Sequence, residues 1–353
     1  MHRLAVLLAA LTGILCAKNV TNPYQSCPLE KMQFASEGSF YVWNTTGPLP
    51  GAAALSRFSA QRIYVRYFDV VNGEGPEPAG IRHDVTTDIE VVPVIYITVP
   101  ALERLSKEQI SSLAQNIVRL IGKIGFSGNE IQLDCDWNAG TKIAFFSLIQ
   151  ELRELSSRKW GRPIQISATI RLHQVKYFRS TGIPPADRGM LMMYNMGQLA
   201  DLTETNSIFR MDTARRYLNK NVREYPLPLD VALADFSWGI AFVHGSFHRI
   251  LNDLDLAELM AVATPESPNW YSLEKKANLA GYPLPAGTRI RWESVGPCDR
   301  AGALSLLSKT LPAMKDRRIA IFDYNSVKSE SHQELIDLFH ASGAHCPHDS
   351  CSD

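Results

Sequence analysis

The chain has 353 residues, 36 Lys and Arg balanced by 36 Asp and Glu, and a hydrophobic share of 45%. It is too apolar and too evenly charged for a disordered protein, and long enough to bury a large core. Without net charge or a Lys/Arg run, it carries no electrostatic footprint for nucleic acid or an anionic membrane.

At the N-terminus, Met1-His2-Arg3 precedes an apolar run from Leu4 to Leu15. This is the layout of a secretory signal peptide, and the run is too short to span a bilayer. No later stretch is long and apolar enough to do so. Residues 1–17 are therefore expected to direct export, to the periplasm or the medium, with cleavage after Ala17. A lipid anchor at Cys16 is the alternative. Residues 18–38 form an N-terminal extension. Past Ala17 stand Cys27, Cys135, Cys298, Cys346 and Cys351, an odd and scattered set unlike the disulfide frameworks of small secreted domains. Cys135, inside an apolar run, is expected to be a buried thiol. The polar tail 344–353 is expected to be flexible. Its His345, Cys346, His348 and Cys351 have metal-ligand chemistry, but terminal tails usually fray, and no metal or cofactor is assigned. Asn19-Val20-Thr21 and Asn44-Thr45-Thr46 match the glycosylation pattern, which is common by chance.

From residue 39 short apolar, β-branched runs alternate with amphipathic ones. Strands are predicted at 40–43, 62–69, 91–98, 131–136, 164–172, 190–196, 229–234 and 317–323. Helices are predicted at 106–124, 141–159, 212–219 and 331–341. The first of these carries Ile110, Leu113, Ile117, Ile121 and Ile124 at helical spacing and opens with a capping-box pattern, Ser106 followed by Gln109. Strands separated by helical stretches argue for one parallel (β/α)8 TIM barrel over residues 39–343. The mature chain is roughly 85 residues longer than the ~250 such a barrel needs. Much of the surplus falls in 236–316, read as an insertion between the seventh and eighth strands; a small sheet beside the mouth is one form it could take. A doubly wound open sheet is the rival fold, but no glycine-rich phosphate turn follows the first strand.

Barrel chemistry sits at the C-terminal strand ends. The fourth strand offers Gln132-Leu133-Asp134-Cys135-Asp136-Trp137-Asn138, and alternation places Asp134 and Asp136 on one face, about 7 Å apart. Repulsion between them would raise one pKa, which suits a general acid or an electrostatic helper; a structural hydrogen-bond network is the plainer reading. The sixth strand offers Met192-Met193-Tyr194-Asn195, where a Tyr beside an amide can orient a carbonyl or a sugar hydroxyl. Other ends supply Arg66 and Asp69, Arg171, His173 and Gln174, Asp235 and Asp323. Trp43, Trp137 and Trp238 could stack on sugar rings or fill the core. Glu293, in the insertion, is a remote candidate acid.

The segments Asp134-Cys135-Asp136-Trp137-Asn138 and Met192-Met193-Tyr194-Asn195 resemble the strand-four D-x-x-D-x-D-x-E and strand-six M-x-Y-D motifs of glycoside hydrolase family 18. That family comprises chitinases and chitinase-like lectins, all (β/α)8 barrels. Asp134 and Asp136 occupy its second and third acidic places, and Met192 and Tyr194 match. Ile131 stands at the first Asp, Asn138 at the catalytic Glu and Asn195 at the strand-six Asp. The resemblance implies that a residue in the place of Asp136 orients the substrate's N-acetyl group. The family's proton donor would stand at 138, and Asn138 cannot serve as that acid. The phrases Ile131 to Trp137, Arg171 to Tyr177 and Gly182 to Gly189 also resemble uncharacterised exported bacterial barrel proteins.

Two readings follow. The first is a glycoside hydrolase acting on an oligosaccharide or polysaccharide, with Asp134, Asp136, Tyr194 and Glu293 as catalytic candidates. In this reading Trp43, Arg66, Asp69, Trp137, Asn138, Arg171, His173, Gln174, Asn195, Asp235, Trp238 and Asp323 bind substrate. The second is a non-catalytic carbohydrate-binding barrel. A metal-dependent hydrolase ranks third, since no HxH or HExxH spacing supports it. The chain is expected to act as a monomer.

Overall fold

The computed structural model describes residues 27–252, 254–327 and 331–344. The signal segment 1–17, Cys16 and the cysteines and histidines of the tail lie outside them. Among the described residues no helix is long and apolar enough to cross a membrane.

Eight parallel strands close into a barrel: Glu37–Val42, Ala60–Asn72, Glu90–Ile97, Glu130–Asp134, Gln165–Arg171, Arg188–Met192, Leu229–Ala234 and Arg318–Phe322. Closure is made by the first strand, whose Phe40 pairs with Ile63 on one side and Ile321 on the other. Seven of the eight consist mostly of residues buried on both faces, as a sheet covered by helices outside and filled within requires. The short strand Pro76–Ala79 runs antiparallel to the overlong second strand.

The helices form the outer layer. Lys107–Ile124 opens with the expected capping box: the Ser106 hydroxyl accepts from the Gln109 amide, and Gln109 Oε1 accepts from the Ser106 amide at 2.9 Å. Its Ile110, Leu113, Ile117 and Ile121 are buried. Lys142–Trp160, Pro297–Thr310 and His332–Ser342 cover further parts of the barrel, and the large core takes in Leu148, Leu304 and Leu338 from them.

Between the seventh and eighth barrel strands, residues 237–294 build a five-stranded antiparallel sheet with the helix Leu256–Val262 and a small hairpin. It has a second core of its own, including Leu251, Leu259, Leu273, Leu284 and Ile290. A disulfide joins Cys27, in the N-terminal extension, to Cys298, in the first turn of Pro297–Thr310, with 5.1 Å between the Cα atoms. Cys135 is a buried thiol.

Candidate functional site

Strand register builds the site. At the C-terminal ends, Asp69 pairs with Tyr96, and Tyr96 in turn with Asp134, so three polar side chains stand in a row across the second, third and fourth strands. The Asp134 carboxylate accepts a 2.6 Å hydrogen bond from the buried hydroxyl of Thr169 on the fifth strand. Burial raises the pKa of Asp134 from 3.8 to about 6, against the opposing pull of Thr169 and of the cations Arg171 and Arg66. Asp134 is thus a carboxyl group that holds or releases a proton near pH 6, and among the described residues no guanidinium is bonded to it.

The neighbouring acids are each tied to an arginine. Asp136 is gripped in bidentate fashion by Arg171, at 2.5 Å from Nε and 2.8 Å from Nη2. Asp69 is held the same way by Arg66, with Nε at 2.7 Å and Nη2 on the second oxygen. Both pairs are partly exposed, so each presents a planar, charge-neutral rim to solvent. The buried Tyr194 lies close enough to Asp134 for that charge to raise its pKa further, beyond the effect of burial.

An aromatic floor joins these groups. Phe322, the last residue of the eighth strand, has ring centroids 5.1 Å from Tyr194, 5.3 Å from Trp43 and 5.8 Å from Phe236. Trp43 meets Tyr96 edge-on at 6.0 Å, and the Arg66 guanidinium lies 5.0 Å from its centroid. Beside Tyr194, a small cleft is lined by Arg171, His173, Asn195 and Tyr217. Asn195 is exposed at φ 54°, a left-handed conformation that Asn tolerates better than most side chains.

The structure therefore gathers Trp43, Arg66, Asp69, Asp134, Asp136, Arg171, His173, Tyr194 and Asn195 at the mouth. The remaining expected residues have other occupations. Trp137 is buried, stacked on Phe145 at 5.2 Å, with its indole N–H donating to the Thr181 carbonyl; it fastens the strand-four loop to the helix Lys142–Trp160. Gln174 is buried, its side chain accepting from the Arg171 amide and donating to the Trp137 carbonyl. Glu293 is buried with four donors on it: Arg291, the indole of Trp238, and the amide and hydroxyl of Ser207. Asp235 is bound by Arg300 at 2.8 Å. Asp323 accepts from the amides of Trp43 and Asn325.

Asn138 is exposed, but its carboxamide oxygen accepts from the amides of Gly140 and Thr141 at 2.8 and 3.2 Å. The Thr141 hydroxyl closes the turn on the Asn138 amide. This side chain fixes the turn that precedes the helix Lys142–Trp160, as short polar residues do by bonding the amides that follow them.

Thr169, Tyr96, Phe322, Phe236 and Tyr217 also belong to the mouth, and no motif in the sequence marks them. Tyr96 and Phe322 sit at the ends of apolar strands, where a ring reads as core. Only the register with Asp134 and the shared ring cluster mark them as mouth residues.

No protein-family model and no curated protein matches the chain. Solved structures do share its fold. The spore cortex-lytic enzyme SleL of Bacillus megaterium superposes with a TM-score of 0.52 at 12% identity, over 88% of this chain and 76% of its own. A chitinase from Chromobacterium violaceum gives 0.54 at 12% identity, over 86% and 99%. A chitinase-like agglutinin from Robinia pseudoacacia gives 0.54 at 11% identity, over 86% and 99%. The chain thus has the closed (β/α)8 architecture of the glycoside hydrolase family 18 barrels.

Proposed function

We propose that this protein is an exported carbohydrate-binding barrel that holds an uncharged glycan at its mouth without cleaving it by the family 18 route. One observation carries the reading. At the position of the family's proton donor stands Asn138, a residue without an acidic proton, whose side chain is engaged in the turn that leads into the next helix. The candidate acids around it are also engaged: Asp136 and Asp69 by arginines, Glu293 by four donors. Flat rings with planar, neutral ion-pair rims suit stacking and hydroxyl recognition, the two needs of a sugar ligand. Among the fold relatives, the Robinia agglutinin is described as chitinase-like, and a class V chitinase from Nicotiana tobaccum is seen in complex with NAG4. The Cys27–Cys298 disulfide supports export, since such bonds persist in oxidising compartments.

A second reading is favoured by Asp134. A buried carboxyl poised at about 6 beside Tyr194 has the protonation chemistry of a general acid, in a hydrolase of different residue usage. The two separate in a single experiment. The purified chain is titrated calorimetrically with chitotetraose and cellotetraose, and the mixtures are then analysed for shorter products. Binding without products is expected, with affinity falling about tenfold or more in Arg66→Ala and Tyr194→Ala at unchanged fold. Product formation that disappears in Asp134→Asn would replace the first reading by the second.

A further inference from the structure

Beyond the mouth, a cavity of about 470 Å3 opens between the barrel and the inserted sheet. That volume lies in the range of small-ligand pockets. Its lining mixes apolar surface, including Phe236, Leu256, Met260 and Trp292, with the hydroxyls of Ser294 and Ser331 and the amide of Asn325. Trp292 is half-buried, and its indole N–H donates to the Leu254 carbonyl at 3.2 Å, which holds the ring in place. Among the described residues the Ser294 and Ser331 hydroxyls make no hydrogen bond with the rest of the chain.

The charges around this cavity are committed elsewhere. Among the described residues Arg300 is the one cation that lines it, and its guanidinium is bound to Asp235, Glu334 and the carbonyls of Ala234 and Val295. Asp255 caps Ala257 at 2.7 Å. Among the described residues no group of His, Cys, Asp or Glu could hold a metal ion. Among the described residues an anion would meet no available cation, and an ammonium group would meet carboxylates already engaged. What remains is a neutral, hydroxyl-rich ligand with one apolar face.

None of Arg66, Asp69, Asp134, Asp136 or Arg171 lines the cavity. Phe236 links the two places: it lines the cavity while its ring stands 6.2 Å from Tyr194 and 5.8 Å from Phe322. We infer that the space between the barrel and the inserted sheet is a second binding site for a neutral saccharide, distinct from the mouth and sharing only the wall at Phe236. The inference stands on its own lining residues, and would hold whether the mouth binds, cleaves or ignores glycans.

The test is stoichiometry. The mature full chain is titrated with chitotetraose and with cellotetraose in separate calorimetric runs. Two sites per chain are expected for at least one of them. Ser294→Phe, which intrudes on the cavity, should leave one site, and Arg66→Ala should leave the other. Met260→Trp places bulk at the exposed rim without touching the core, so it repeats the test should Ser294→Phe fold poorly; it should weaken the cavity site about tenfold. A single site lost in Ser294→Phe and retained in Arg66→Ala would keep this inference and remove the mouth reading. A single site that Ser294→Phe and Met260→Trp leave unchanged, or no binding of either sugar, would overturn it.

Discussion

The two ends of the barrel use the same residue types for opposite purposes. At the N-terminal end, the first residues of the strands include Glu37, Arg62, Glu90, Glu130, Arg188, Asp230 and Arg318. These form a closed ionic network: Arg62 meets Glu37 at 2.6 Å and Glu90 at 2.9 Å, Arg318 meets Glu130 at 2.5 Å, and Arg188 grips Asp230 with two bonds of 2.8 Å. Glu130 and Asp230 are 1% and 2% exposed, so no ligand reaches them. At the C-terminal end the Arg66–Asp69 and Arg171–Asp136 pairs lie partly open beside an aromatic floor, and among the described residues Asp134 has no cation bonded to it. An ion pair between strand ends is thus no sign of function by itself. Exposure, and a carboxyl left outside the pairing, separate the site from the structural plug.

The strongest way to break this comparison is at the plug. Arg188→Met leaves Asp230 buried without its bidentate partner, and breaking a buried pair in this way costs roughly 3–5 kcal/mol. Urea denaturation should show the loss, while the folded fraction keeps its glycan affinity. Should Arg188→Met change affinity as strongly as Arg171→Ala does, the two ends are not functionally separate.

Next comes the covalent tie. The Cys27–Cys298 bond closes a loop across 271 positions, and removing it through Cys27→Ser should cost about 2–4 kcal/mol. Thermal melts of wild type and variant should differ under non-reducing conditions and converge once wild type is reduced. Melts that differ equally in both redox states would assign the loss to the serine instead.

Asp134 predicts an effect of the opposite sign. Its folded pKa of about 6 exceeds the ordinary 3.8, so between these values the native state keeps a proton that the unfolded chain has released. Stability therefore falls as pH rises through that window, by at most about 3 kcal/mol. Asp134→Asn should flatten this fall and leave the protein more stable than wild type at pH 8, while weakening ligand binding at the mouth. A variant less stable than wild type at pH 8 would put Asp134 with the plug residues.

The smallest effect sharpens the role of Asn138. Asn138→Ala removes the acceptor for the Gly140 and Thr141 amides and should cost about 1 kcal/mol. Asn138→Asp should restore most of it. Neither should alter affinity for a neutral tetrasaccharide by more than about twofold.

Much of the barrel could be read from alternation alone, because buried parallel strands are short β-branched runs between amphipathic helices. Leu229–Ala234 coincides with its expected span, and the helix Lys107–Ile124 starts one residue after the expected cap. The sixth strand stops at Met192, short of the expected Met196, because the chain turns at the left-handed Asn195. Asp134, Asp136 and Tyr194 were visible as strand-end polar residues, whereas the division between paired and unpaired acids was not. It depends on Arg171 arriving beside Asp136 from the fifth strand, and on Arg66 turning to Asp69 within the second. Trp137 was indistinguishable from a sugar platform, since its burial depends on how the following helix packs. The replacement at Asn138 was plain in the sequence; its bonds to the Gly140 and Thr141 amides need the turn itself. The disulfide escaped for a similar reason, as no local pattern joins Cys27 to Cys298.

The central claim is that the mouth holds a neutral glycan and leaves it intact. A crystal structure of the full chain grown with chitotetraose or cellotetraose tests this most directly. The account predicts an uncleaved sugar lying on Phe322, Trp43 and Tyr194, its hydroxyls meeting the Arg66–Asp69 or Arg171–Asp136 pair, with Asn138 still bonded to Gly140 and Thr141. A shortened sugar with the Asp134 carboxyl at its new end, or a mouth left empty at saturating ligand, would contradict it.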